Sequence, residues 1–162
     1  MRKELLSVGV LLAFVALCGG GLWWLFGPPG RHIGSFDIGQ GREVRIWSEG
    51  DWLEPVGMYY QISEGGEVVW PKSHIGVDRG QRFEFRTASA AGGKLSCVYE
   101  VNSATNRPPF LIIYDSETHE SWPRLKDGDW SGDPAVMRKW QDRYRKLRDD
   151  NPEMPKFRGF ED

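Results

Sequence analysis

The chain has 162 residues, a formal charge of −2 and a pI near 6.0, so no net positive field is available to hold nucleic acid. Eight Trp, five Tyr and eight Phe supply large flat apolar surfaces. Twenty Gly and ten Pro demand many turns, and the mixture is what short strands joined by tight loops produce. Only two cysteines are present, Cys18 and Cys97, and they fall in different parts of the chain, so no disulfide framework holds the fold.

The first element is the stretch Leu5–Phe26, 22 residues without a charge. As a helix at ~1.5 Å per residue it reaches roughly 33 Å, enough to cross a hydrocarbon core of about 30 Å. Trp23 and Trp24 stand near its far end, where amphipathic rings favour the headgroup layer, and Pro28-Pro29 stops it. Residues 1–27 are therefore read as an N-terminal transmembrane anchor of signal-anchor type, and residues 28–32 as a short stiff linker. Arg2 and Lys3 precede the span, while Arg31, Arg42 and Arg45 follow it. The reading places the C-terminal domain outside the cytoplasm, with a cytoplasm-facing domain as the alternative. The segment also carries the pattern of a cleaved secretory signal, with Arg2 and Lys3 ahead of Leu5–Leu17 and Ala16-Leu17-Cys18 as the site. A lipid-modified Cys18 would want a small residue where Leu17 stands.

Residues 33–126 read as one small antiparallel β sandwich or barrel. The first strand is Ile33–Ile38, and Gly39-Gln40-Gly41 turns the chain into Glu43–Trp47, which alternates polar and apolar. Val56–Ile62 and Glu67–Trp70 flank Ser63-Glu64-Gly65-Gly66, a hairpin signal, and Pro71 is expected to end the second arm. Arg82–Thr87 alternates with both Phe on one face, followed by a loose Ala-Gly loop at 88–93. Leu95, Cys97, Tyr99 and Val101 then share one face of the next strand. Phe110–Tyr114 is the most continuously apolar run of the domain, which predicts a central strand buried on both faces. A last arm, His119–Trp122, follows the turn Asp115–Thr118.

The C-terminus changes character. Asp133 can cap a helix whose first position is Pro134, and Met137, Trp140, Tyr144 and Leu147 recur at helical spacing on one stripe. Residues 127–150 are thus a turn and an amphipathic helix, and residues 151–162 a flexible tail.

Candidate sites are few. Asp127, Asp129, Ser131 and Asp133 stand at the first, third, fifth and seventh places of a stretch that resembles the opening of an EF-hand calcium loop, with Gly132 at the sixth. The twelfth place is Arg138 instead of a bidentate Glu, so the competing reading is a polar turn that caps the helix. Trp140, Arg143, Tyr144, Arg145 and Arg148 form a candidate interaction surface, set against a helix that packs its aromatic stripe on the sheet and leaves its charges solvated. His32, His74 and His119 lie in separate segments without metal-ligand spacing, and Cys97 falls on a buried strand face as an inert thiol. Trp52, Tyr59, Tyr60, Trp70, Trp122 and Trp130 exceed what the core obviously needs, and some could line a carbohydrate or peptide groove.

No nucleophile motif, phosphate loop or metal cluster is legible, so no catalytic residue and no cofactor is assigned. The hairpin Phe110–Pro123 looks like one strand-turn-strand of a propeller blade, although a single copy cannot make a propeller. The order of anchor, small β domain and basic terminal helix resembles uncharacterised single-pass bacterial envelope proteins, a likeness of architecture that carries no catalytic residues. The expected function is a membrane-anchored extracytoplasmic β domain acting as a binding or scaffolding module, with the bilayer and an envelope protein or glycan as partners. The alternative is an envelope hydrolase whose carboxylates assemble only in three dimensions.

Overall fold

The computed structural model describes residues 30–50, 56–78, 82–101, 109–123, 133–157 and 159–160. Within them the chain is mainly β, with two four-stranded antiparallel sheets and one C-terminal helix. The first sheet takes β1 (Gly30–Gly39), β2 (Arg42–Glu49), β3 (Gly57–Glu64) and β4 (Glu67–Val77) in order. The second takes β5 (Phe85–Ala90), β6 (Leu95–Glu100), β7 (Leu111–Asp115) and β8 (Glu120–Trp122). The helix α1 spans Pro134–Asp150. The predicted span Leu5–Phe26 lies outside the described residues; no helix among those described is long and apolar enough to cross a membrane.

Both sheets are meanders, and their tight turns are written in the sequence. Gln40-Gly41 and Gly65-Gly66 are two-residue loops with positive φ at both positions, the backbone twist that matches flanking strands. Three strands differ from expectation by three residues or more at one end. β1 begins at Gly30, so residues 30–32, expected as linker, pair with β2 through Gly30–Glu49, Arg31–Ser48 and His32–Trp47. β4 continues past Pro71 to Val77, because β4 is an edge strand on which the missing Pro N–H need not join a ladder. The register shifts between Tyr60 and Ile62, opposite that proline. β5 runs over 85–90 where 82–87 was expected, since Ala88 and Ala90 pair with Cys97 and Leu95 and turn small side chains toward the helix.

The layers stack as first sheet, second sheet, then helix. Val44, Ile46, Met58, Tyr60 and Ile62 of the first sheet meet Val98, Ile112 and Tyr114 of the second. The opposite face of the second sheet presents Leu95, Cys97, Tyr99, Leu111 and Ile113 to Trp140, Tyr144 and Leu147 of α1. Every residue of β6 and β7 is therefore buried, as the apolar run at 110–114 foretold. Polar ties cross between the sheets as well. The Tyr60 hydroxyl and Ser121 Oγ lie 2.8 Å apart, Ser96 donates to the Ile38 carbonyl at 3.0 Å, and Arg42 Nη1 donates to the Gly93 carbonyl at 3.1 Å.

The expectation of a flexible tail over 151–162 is corrected for its described part. Met154, Phe157 and Phe160 are buried against α1 and the second sheet. Tyr144 donates to the Pro155 carbonyl at 2.9 Å and accepts from the Phe157 N–H at 3.2 Å, which fixes the tail to the helix.

One cation fastens the helix to the sheet. The Arg143 side chain is 8% exposed and donates to Asp115, to Glu120 at 2.9 Å and to Thr118 Oγ1 at 2.8 Å, all on or beside the β7–β8 turn. Its guanidinium also lies over the Trp140 ring at 4.4 Å. Removing one member of such a pair strands the other charge in a dry site. Burial alone would raise the Glu120 carboxyl, but hydrogen bonds from Lys139, Thr118 and Arg143 outweigh it and hold the group below its ordinary 4.5. A lowered folded value means that this stabilisation is complete above 4.5 and is lost as pH falls through the folded value. Urea titrations should find Arg143→Ala less stable by about 3–5 kcal/mol. Stability measured across acidic pH should fall below 4.5 in the parent chain, with a shallower fall in Glu120→Gln.

Candidate functional site

The first sheet has one face in the core and one turned outward, and the strand period decides which residues go where. On β2, Val44, Ile46 and Ser48 point inward while Glu43, Arg45, Trp47 and Glu49 point outward. On β3, Met58, Tyr60 and Ile62 point inward and Tyr59, Gln61 and Ser63 outward. The ladders then align one outward residue from each strand, because His32 pairs with Trp47, Trp47 with Tyr59, and Tyr59 with His74. The result is a straight row, His32–Trp47–Tyr59–His74, across all four strands.

The rings of the row are held in place. Trp47 and Tyr59 lie 6.3 Å apart with planes inclined by 30°, and the His74 ring meets Tyr59 edge-on at 5.4 Å. Tyr59 lies down along its own strand over Gly57, where an added Cβ would stand 2.9 Å from its hydroxyl and 3.0 Å from the ring. Glycine at 57 therefore lets the ring lie flat. Glu49 accepts from Trp47 Nε1 at 2.6 Å and pairs with Lys72, whose ammonium sits 4.2 Å from the Tyr59 centroid. Those two hydrogen bonds, Lys72 first and Trp47 second, hold the Glu49 carboxyl below its ordinary value. Lys72 is 44% exposed, and at such sites a cation over a ring is worth about 0.5–1 kcal/mol, so the ammonium is easily moved aside.

Beside the row the outer face opens into a shallow groove of about 280 Å³, lined by Glu43, Arg45, Gln61, Ser63 and Val68 with Gly41 and Gly66 at its end. Its charges are matched, with Glu43 and Arg45 3.5 Å apart. Two other concavities flank α1. The one under the β7–β8 turn, about 300 Å³, includes Lys94, Asp115, Glu117, Lys139 and Arg143. There Lys94 pairs with Glu117, Lys139 with Glu120 and Arg143 with Asp115, so these cations are used in holding the fold. The other, about 290 Å³, lies between α1 and the tail against Tyr144, Arg145 and Phe160.

The residues singled out from the sequence are scattered by the structure. Asp127, Asp129 and Ser131 lie outside the described residues, while Asp133 caps α1, its Oδ1 accepting from the Ala135 N–H at 2.8 Å. Among the described residues no cluster of three His, Cys, Asp or Glu side chains could hold a metal ion. Trp140, Arg143 and Tyr144 are buried and face the second sheet or its turn, which removes them from the expected interaction surface; Arg145 is exposed and Arg148 half-buried. The reason is the ion cluster at Asp115, which draws Arg143 inward onto the aromatic stripe. Of the aromatic candidates, Tyr60 and Trp70 are core, Trp122 packs on Trp140 and Phe160, and Trp52 and Trp130 lie outside the described residues. Tyr59 alone of the four described candidates turns to the outer face. Cys97 is buried and its thiol is pushed up to about 12 by that burial, in keeping with an inert core residue. Among the described residues the carboxyls with shifted values, Glu49 and Glu120, sit on different sheets and are both lowered, whereas a general acid needs a raised one.

Compared with known proteins, the chain matches no protein-family model, no curated protein and no solved structure.

If the row is there for a ligand and not for the fold, removing it should barely disturb stability. Cross-strand aromatic pairs contribute about 0.2–1 kcal/mol, so Trp47→Ala and Tyr59→Ala should each stay within roughly 1 kcal/mol of the parent in urea titrations. Trp70→Ala, which empties an inter-sheet core position, should cost about 3–5 kcal/mol in the same assay.

Proposed function

We propose that the protein is a single-pass, membrane-anchored binding module whose β domain lies outside the cytoplasm and engages its partner through the outer face of the first sheet. The observation that carries this reading is the row His32–Trp47–Tyr59–His74, two large aromatic rings between two imidazoles on a face that packs against no other described element. The central strands of the second sheet are covered on both sides, so among the described residues the open sheet surface lies mainly on the first sheet. Flat rings fixed by their neighbours lose little freedom when a partner arrives, which is why Tyr and Trp recur at binding surfaces.

The anchor rests on the uncharged run Leu5–Phe26. Three residues, 27–29, separate it from the start of β1, so the domain stands close to the bilayer. Binding is favoured over hydrolysis because the shifted carboxyls, Glu49 and Glu120, are held charged by cations and face different parts of the molecule.

Two measurements test the reading. Protease added outside intact cells should digest a C-terminally tagged chain, and the membrane-bound product should keep its full N-terminal mass; protection until lysis would turn the domain to the cytoplasm. Hydroxyl-radical footprinting of the full chain in nanodiscs, with and without sonicated envelope material from its own cell, should protect Trp47, Tyr59 and His74 together. Protection confined to α1, or none anywhere, would overturn the assignment of the face.

A further inference from the structure

Resting on the binding face just described, we infer that its ligand is a linear glycan of uncharged pyranose units, lying across the strands along the His32–Trp47–Tyr59–His74 row. The first argument is charge. The outer face carries Arg45 and Lys72, paired with Glu43 and Glu49, and Asp37 opposite Glu43 adds a further carboxylate, so cations are not in excess there. A polyanion such as a nucleic acid or an anionic lipid surface would require an excess of cations there. A neutral ligand rich in hydroxyls does not.

The second argument is the kind of groups present. Sugar rings present a C–H face that rests on aromatic rings and a rim of hydroxyls that both donate and accept. Trp47 and Tyr59 supply the rings, inclined by 30° to each other. The rim would meet Arg45 and Gln61, which stand two residues (~7 Å) along β2 and β3 from the rings, with Glu49 accepting and Lys72 donating. Lys72 would leave the Tyr59 ring for a sugar hydroxyl and keep its contact with Glu49.

The third argument is shape. Four strands at ~4.8 Å spacing make a row roughly 14 Å long, open at both edges of the face, which suits a chain passing over the surface better than a molecule enclosed by a pocket. β-1,4-linked glycans are extended ribbons with flat faces and fit such a row, whereas coiled α-1,4 glycans do not.

The probes are cellohexaose and chitohexaose, with maltohexaose as the coiled comparison, titrated calorimetrically into the full chain in nanodiscs. Binding of at least one β-1,4 hexamer is expected, with affinity lowered roughly tenfold or more by Trp47→Ala or Tyr59→Ala, kept largely by Trp47→Phe, and unchanged by Arg145→Ser on the helix. Absence of binding by both β-1,4 hexamers, or equal binding by the Trp47→Ala and parent chains, would overturn the glycan. Footprinting separates that failure from failure of the face itself. If proteinase-stripped envelope material no longer protects the row while untreated material does, the ligand is a polypeptide and the glycan is wrong though the face stands. If the row becomes protected merely on transfer from detergent into a nanodisc, the occupant is the lipid surface and the glycan is again wrong. If nothing protects the row, both the glycan and the face are lost.

Discussion

The two central strands of the second sheet have no side that water can reach, and the rest of the molecule follows from that. All six residues of β6 and all five of β7 are buried, so both faces of a thin sheet must be covered by something else. The first sheet covers one face and α1 with its tail covers the other. Neither cover works alone: a two-sided apolar sheet with one face bare would expose a patch large enough to associate with other chains. The fold is therefore a stack in which the middle layer needs the outer two, and each outer layer has one face to spare. On α1 the spare face is charged and solvated. On the first sheet it carries the aromatic row.

Apolar contact is undirected, and directed bonds fix how the layers meet. Tyr60 and Ser121 face each other across the inter-sheet core, and Ser121 in turn donates to the Ile113 carbonyl on its own sheet. Arg42 reaches from β2 to the Gly93 carbonyl and bonds Glu64 and Gln40 with its remaining nitrogens. Arg143 does the same work on the helix side through Asp115 and Glu120. Buried polar groups of this kind lose much when a partner is missing, so they penalise any shifted docking of the layers. The same three sites bring cations and hydroxyls inward that composition alone would leave in water.

The strand positions were largely legible because alternation and turn chemistry are local. Gly65-Gly66 and Gln40-Gly41 announce hairpins without any knowledge of the partner strand, and the apolar run at 111–113 announces double burial. The extension of β4 past Pro71 was not legible, since whether a proline is tolerated depends on which strand lies at the edge. Arg143 was read as solvated because only the fold brings Asp115 and Glu120 beneath it. The site was half legible. Tyr59 stands among the sequence candidates and His32 and His74 enter only as metal ligands without the right spacing, while Trp47 and Lys72 are absent, although one signal is available. Trp47 occupies the polar parity of β2 together with Glu43 and Arg45, and a large aromatic in that parity faces outward. What alternation cannot reveal is that four such positions on four strands fall into one row, because register is set by pairing across loops.

That row is also the feature the fold needs least. The inward parity of the first sheet carries the packing, and its neighbour across the core would be buried equally well with threonine or lysine at 47 and 59. Yet neighbouring groups hold those rings: Gly57 leaves room for Tyr59 to lie flat, and Glu49 is engaged by both Trp47 and Lys72. Glycine inside a strand weakens it, and Trp47 and Tyr59 stay half-buried on the outer face where a polar residue would also fit. On the binding role proposed for this face, a strand glycine and two rings held in one orientation are what contact with something outside the chain would require.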